Sequence, residues 1–257
     1  MKIQFVGVGG AFSTPALYQS NMLVTAASGR RLLIDCGSDI RFSLAECGIP
    51  REDFCTAIDA VYISHLHSDH IGGMEGLAFS TYFHPDSCRP HLFMESTLMH
   101  EMWTHGLKAG LGCIEGKNMH LADYFRCRPL APDGRFEWER IRFSLVRMDH
   151  VIAGCRNHYS YGLRIREGDG PEIFITTDTQ FRPEQVLRWG EPAAVIFHDC
   201  ETNHFRSRVH AHYEELCTLP DRIRRKTWLY HYQPNPIQEP KADGFKGFVT
   251  KGQVFEW

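Results

Sequence analysis

A chain of 257 residues with 43% hydrophobic and 23% charged side chains is an ordinary globular composition, long enough to bury a sizeable core, and one domain spanning 1–257 is the default. A net charge of −3 with neutral histidines removes the overall basic excess that would point to nucleic acid. No stretch approaches the roughly 20 apolar residues of a membrane span, and Met1-Lys2-Ile3-Gln4-Phe5 lacks the charged head and long apolar run of a signal peptide.

Lys2 to Val8 alternates polar and apolar residues like a strand and then enters Gly9-Gly10. Asn21 to Ala26 and Arg31 to Asp35 read as further strands, with Ser28-Gly29 as the hairpin turn between them. Ile40 to Cys47 has a helical pattern ending at Gly48. Ala60 to Ile63 reads as a buried strand, and Gly73 to Phe83 as a helix stopped before Pro85. Ser96 to Phe125 is helix-like but broken by Gly106, Gly110, Gly112 and Gly116. Ile141 to Met148, His158 to Arg166 and Glu172 to Thr176 alternate as strands. Pro183 to Trp189 is a short helix with proline in its first turn. Ala194 to Phe197 and Thr227 to Tyr230 are strands, and Tyr213 to Leu219 is a helix stopped by Pro220. Asp243 to Val249 suggests a final turn and edge strand. Two sheets face to face with helices outside, a four-layer αββα arrangement of mixed α/β class, accommodate this order.

Nine cysteines, Cys36, Cys47, Cys55, Cys88, Cys113, Cys127, Cys155, Cys200 and Cys217, are odd in number, irregular in spacing and without a CxxC pair. They are expected to be reduced thiols in a cytoplasmic protein, and not a cysteine–zinc site. Fifteen histidines is a high number that needs a reason.

The reason begins at Ser64-His65-Leu66-His67-Ser68-Asp69-His70-Ile71-Gly72-Gly73. Three imidazoles and a carboxylate within six residues, directly after an apolar run, are too many metal ligands for an ordinary core. Imidazole plus carboxylate suits zinc or another first-row metal. A strand ending near Ser64 puts His65 and His67 on one side of a turn, from which Asp69 and His70 reach a second point. One loop can therefore serve two adjacent metal sites. The remaining ligands are expected at later strand ends, where a rigid scaffold carries functional loops. His150, Asp178 and His231 each directly follow an apolar strand. His158 competes with His150 but opens a strand. His198 and Asp199 also end a strand and are expected to orient a ligand imidazole instead of binding metal. His84, His91, His100, His105, His120 and His204 lack such a context.

The set His65-x-His67-x-Asp69-His70 with His150, Asp178 and His231 resembles the ligand set of the metallo-β-lactamase superfamily. Gly7 to Gly10 and Leu33-Ile-Asp35-Cys-Gly37 resemble that superfamily's opening strands, so the likeness spans about residues 3 to 232. It implies the αββα metallo-β-lactamase sandwich. It also implies one metal on His65, His67 and His150, another on Asp69, His70 and His231, and Asp178 bridging them with a water. Two Zn2+ ions are the implied cofactors, with Mn2+ or Fe2+ as alternatives.

Ser207-Arg-Val-His210-Ala-His212-Tyr-Glu-Glu-Leu216 is similar to the extra histidine motif of the tRNase Z-like phosphodiesterase branch, closest to its anti-Pycsar-type cyclic-nucleotide phosphodiesterases. In that branch a histidine opens a helix and faces the scissile phosphate. His210 matches that position best, with Glu214 at a position that is often acidic. The resemblance implies a phosphodiesterase in which His210 and Asp69 are catalytic. Clustered basic residues are lacking between Thr81 and Arg140, which argues for a small phosphodiester, a cyclic nucleotide, in place of tRNA. A tRNA or RNA 3′-processing endonuclease and a lactonase or glyoxalase-type thioester hydrolase are the alternatives. The cyclic-nucleotide resemblance further implies a homodimer, in which the 96–125 segment is either core or a surface closing the partner's site.

Overall fold

The computed structural model describes residues 1–154 and 157–257. Its first half contributes β1 (Lys2–Phe5), β2 (Met22–Thr25), β3 (Arg31–Ile34), α1 (Ile40–Glu46), α2 (Phe54–Ala57), β4 (Ala60–Ile63), α3 (Ser68–Ile71), α4 (Met74–Tyr82), β5 (His91–Glu95), α5 (Ser96–Met102), α6 (Lys108–Leu111), β6 (Cys113–Ile114), β7 (Lys117–Asn118), α7 (Leu121–Tyr124) and β8 (Arg126–Leu130). The second half contributes β9 (Arg135–Trp138), β10 (Ile141–Ile152), β11 (Asn157–Glu167), β12 (Ile173–Ile175), α8 (Pro183–Gly190), β13 (Val195–Asp199), α9 (Tyr213–Leu216), α10 (Asp221–Arg224), β14 (Thr227–Tyr230), β15 (Gly247–Phe248) and β16 (Val254–Glu256).

One sheet runs β16-β1-β2-β3-β4-β5-β8 and the other β15-β14-β13-β12-β11-β10-β9. In each sheet one side is parallel out to the edge, β3-β4-β5-β8 in the first and β12-β13-β14-β15 in the second, and the other side is antiparallel. Strands buried on both faces carry continuous apolar runs, as Ala60–Ile63 does; Ile173–Ile175 is also such a run, buried throughout, in place of the alternating strand expected over 172–176. Between the sheets, Phe5, Tyr62, Phe143, Phe197 and Tyr230 are all but fully buried. Cutting one such aromatic to alanine costs about 3–5 kcal/mol. A second core lies under the helices of the first half, and a third under α8, α9 and α10. Three apolar layers make the αββα sandwich expected from the element order.

Several elements differ from expectation. Ser96–Phe125 is not one broken helix: it continues from α5 through a π-helical turn at Trp103–Leu107 into α6, then a hairpin whose Gly116 has φ +71°, then α7. Met99, Met102, Tyr124 and Phe125 all lie in the second core, so this segment packs inward. Strands β5, β8, β9 and β16 carry no clear sequence signal. β16 pairs antiparallel with β1. The expectation of reduced thiols is corrected at Cys55 and Cys88, which form a disulfide with Cα atoms 5.6 Å apart. Six other cysteines are free, and Cys155 lies outside the described residues.

Candidate metal centre

The candidate ligands gather where strands of both sheets end. β4 delivers His65 immediately after Ser64. His67 stays extended, with φ −69° and ψ 154°, and the single turn of α3 then carries Asp69 and His70. His150 does not end its strand as expected: β10 runs on to Ile152. The ladder with β11 shifts register between Asp149 and Val151, and this bulge sets His150 apart from the pairing. Asp178 follows β12 through Thr177, which has φ +54°. His231 follows β14 with φ +66°. Asp35, at the end of β3, has φ +62°. Three non-glycine residues in left-handed geometry around one site cost on the order of 1–3 kcal/mol each. Such strain persists where the surrounding fold dictates it.

Two four-donor clusters share Asp178. In the first, His67 Nδ1 lies 3.1 Å from His65 Nε2 and 3.0 Å from His150 Nε2. Asp178 Oδ2 stands 3.7 and 3.8 Å from those two Nε2 atoms. In the second, His70 Nε2 is 3.3 Å from Asp69 Oδ2 and 3.2 Å from Asp178 Oδ2. His231 Nε2 is 3.4 Å from each of the same two oxygens. Tetrahedral ligands about 2.0–2.1 Å from a zinc ion stand roughly 3.3–3.4 Å apart. The second cluster has those edges already.

Partners behind the rings turn the inner nitrogens toward the clusters. Asp35 Oδ2 accepts from His70 Nδ1 at 2.8 Å and from Ser64 Oγ at 2.8 Å. Ser64 Oγ in turn lies 3.0 Å from His65 Nδ1, whose proton it accepts. Asp35 thereby orients one imidazole of each cluster. His150 Nδ1 donates to Val209 O at 2.8 Å, and His231 Nδ1 faces Asp199 Oδ1 at 3.3 Å. With the Nδ1 protons turned outward, Nε2 is the nitrogen each ring offers inward, as a lone pair once it carries no proton. His70 Nε2 and Asp178 Oδ1 are buried without a hydrogen-bond partner. Buried ligand atoms left without partners are costly unless a cation satisfies them, so the residues fit a divalent metal at both clusters.

The clusters differ electrically. Burial pushes His65 well below the usual imidazole range, pushes His67 down, and takes His150 to about 4. Burial also acts against charge on His70 and His231. There the carboxylates win, led by Asp178, and both rings are raised well above the usual range. Burial likewise opposes ionisation of Asp178, yet the His231 and His70 charges hold it well below the carboxylate range.

His210 stands beside this centre. Its Nδ1 lies 2.9 Å from Asp199 Oδ2 and 4.0 Å from Asp178 Oδ2, and its ring is 4.7 Å from that of His231. Asp199 Oδ2 also accepts from Thr179 N at 2.9 Å. Burial works against a charge on His210, but Asp199 raises it above the usual value. His210 does not open the helix as expected. That position belongs to His212, whose Nδ1 accepts from Glu214 N while Glu215 completes the capping box. Glu214 is exposed and pairs with Arg206 at 2.8 Å, turned away from the site. His158 is exposed beside the clusters without joining either. His198 is buried, donating to Asp199 O at 2.7 Å.

Sequence reasoning missed the orienting roles of Asp35, Ser64 and the Val209 carbonyl. For Asp35 the available signal was its position at a strand end directly before Cys36-Gly37. A cavity of about 240 Å³ opens against His65 and His67. A larger one of about 420 Å³, among Arg135, Arg142, Arg164, Arg166 and Glu172, touches no candidate ligand. Donor chemistry locates the site where volume would not.

The family model described as "Anti-Pycsar protein Apyc1" matches residues 1–255. An anti-Pycsar protein Apyc1 of Paenibacillus harenae is 34% identical over 258 residues, covering 100% of both chains. Another, of Bacillus phage BSP38, is 32% identical over 262 residues, covering 99% of this chain and 97% of its own. Among solved structures, the metallo-β-lactamase fold protein YhfI of Bacillus subtilis superposes with a TM-score of 0.74 at 18% identity, over 99% of this chain and 98% of that one. At that identity the likeness concerns the fold, and it agrees with the two-sheet sandwich described above.

Proposed function

The chain belongs to the anti-Pycsar protein Apyc1 family, and from that premise we propose that it is a dinuclear-metal phosphodiesterase that hydrolyses a small phosphodiester, a cyclic nucleoside monophosphate. His65, His67, His150 and Asp178 would hold one ion, and Asp69, His70, His231 and Asp178 the other. Two Zn2+ ions are the first choice, with Mn2+ or Fe2+ in reserve. When bound, such a pair supplies Lewis acidity at the phosphoryl oxygens and a nucleophile at neutral pH.

The observation that carries the reading is His210 on Asp199, next to the shared Asp178. With Nδ1 anchored and its proton affinity raised, the ring is suited to give a proton from Nε2 to a departing alkoxide. Asp199 keeps the imidazole in that tautomer and faces His231 as well. Asp69 serves as ligand, and its carboxylate fixes His231 against His70. The 96–125 segment supports a small substrate, because Met99, Met102, Leu107, Leu111, Tyr124 and Phe125 are packed in the core and only α5 borders the cavity beside His65 and His67. The same reading treats residues 1–257 as one catalytic domain, cytoplasmic and homodimeric, with no membrane partner. No helix among the described residues is long and apolar enough to cross a membrane.

A panel of cyclic mononucleotides, cyclic dinucleotides, a pre-tRNA, a lactone and a thioester, offered to the metal-loaded protein, tests the proposal. Cyclic mononucleotides should open to nucleoside monophosphates. Cleavage of pre-tRNA with cyclic nucleotides untouched would instead make the protein an endonuclease, and turnover of the lactone or thioester alone would remove the phosphodiesterase reading.

A further inference from the structure

The 240 Å³ cavity beside His65 and His67 has a built wall. Tyr159 lines it, with the Arg147 guanidinium carbon 4.6 Å from the Tyr159 ring centroid. Asn157 Nδ2 donates to the Tyr159 hydroxyl at 3.2 Å. The ring is therefore held from one face and from its tip. Leu98 and Tyr161 add apolar wall, while Asn157, Thr97, His158 and the carboxylates of Glu95 and Glu101 make much of the remaining lining polar.

The wall is also rigidly registered to the metal centre. Tyr161 N donates to Ser64 O at 3.0 Å, directly before His65, and Tyr161 O accepts from the Tyr62 hydroxyl at 2.7 Å. Ser160 Oγ donates to Asp178 O, and Thr177 Oγ1 donates to Ser160 Oγ at 3.1 Å. The start of β11 is thus tied both to the loop carrying His65 and His67 and to the shared carboxylate. A group resting on Tyr159 would have a fixed position relative to a phosphate at the clusters.

We propose, resting on the phosphodiesterase reading, that this cavity seats the nucleobase of the substrate, with the Tyr159 ring as its stacking platform and Asn157 at the polar edge of the base. An aromatic platform rimmed by hydrogen-bonding groups suits a flat heterocycle, and stacking accepts every base because every base has a π-face. A cavity below the roughly 300–1,000 Å³ of drug-sized pockets admits a single nucleoside and no folded RNA.

The test compares Tyr159→Ala and Tyr159→Phe with the unaltered protein in two assays. In the first, Tyr159→Ala should raise KM for cyclic nucleotides roughly 10- to 100-fold with little change in kcat. Turnover of ribose cyclic phosphate, which lacks a base, should be unaffected. Tyr159→Phe should stay close to the unaltered protein, and Arg147→Ala should fall between. In the second, chemical-shift titration with a free nucleoside should show binding that Tyr159→Ala loses and Tyr159→Phe keeps. Equal loss on the baseless substrate, or an unchanged KM in Tyr159→Ala, overturns the proposal. If the unaltered protein cleaves neither substrate, the phosphodiesterase reading fails by itself. The base seat then stands or falls on the nucleoside titration: it stands if Tyr159→Ala abolishes binding, and it falls if the nucleoside binds neither protein or both alike.

Discussion

The two donor clusters share one carboxylate and a single short loop, yet they are built differently. The Asp69, His70, His231 cluster is fully buried, has two carboxylates, and spaces its donors 3.2–3.4 Å apart. The His65, His67, His150 cluster has one carboxylate, uneven distances and a partly exposed member in His67. Without metal the first of these is a network of protonated imidazoles and carboxylates, and the second a nest of neutral imidazoles. The lesson is that equal ligand counts do not make equal sites. A metal must displace protons from one cluster, whereas the other holds its lone pairs ready.

The comparison breaks most completely at the shared residue. Asp178→Ala should empty both clusters at once and cut hydrolysis on the order of a thousandfold, read by steady-state kinetics together with metal content. Retention of one tightly bound ion with substantial activity would mean that the clusters work separately. His210→Ala should leave metal content intact and lower phosphodiester turnover by about 10²–10⁴-fold, because it removes the proposed proton donor without touching a proposed ligand.

Asp35→Ala sharpens the contrast, because Asp35 reaches His70 directly and His65 only through Ser64. Metal affinity measured by competition with a chelator should fall about 10- to 100-fold, and more at the His70 cluster than at the His65 cluster. Equal losses would show that the Ser64 relay is as stiff as a direct bond.

The metal-free protein should show the difference as two limbs in its stability against pH. His65, His67 and His150 are neutral in the fold, whereas an unfolded imidazole takes a proton near ~6.5. The unfolded chain then binds more protons, and stability falls as pH drops from about 6.5 toward the value of about 4 for His150. His70 and His231 have raised values, so their contribution is complete below ~6.5 and is lost as pH rises through their folded values. Denaturation followed across pH should therefore peak near neutrality. His150→Ala should flatten the acid limb and His231→Ala the alkaline one. The smallest effect is expected at Glu214→Ala: its carboxylate faces Arg206 and solvent, so activity should stay within about twofold.

Much of this was legible in the sequence because ligand clusters and apolar runs are local signals. Ala60–Ile63 and Thr227–Tyr230 are legible with the bounds they have, since both are short, largely apolar stretches that lead into a ligand loop at His65 and His231. His150 was found for a reason only partly right. Strand-end logic pointed to it, but a bulge inside β10 presents it, and a bulge leaves no mark in one strand's alternation. Asp35 and Ser64 were not read as orienting groups because that role depends on β3 and β4 lying side by side in parallel. Strand β16 escaped for the same kind of reason: its partner is β1, at the other end of the chain. The glycines of 96–125 announce a break without its form: a π-helical turn at Trp103–Leu107 and a hairpin at Glu115-Gly116, between which Leu111 is buried in the core.

Two ions acting together through Asp178 are the central proposal, and one titration tests them most directly. Protein stripped by a chelator is given Zn2+ or Mn2+ in steps while hydrolysis of a cyclic mononucleotide is followed. Activity should be absent at the start and should level off at two equivalents per chain. Full activity at one equivalent or none, or no hydrolysis at two, would contradict it.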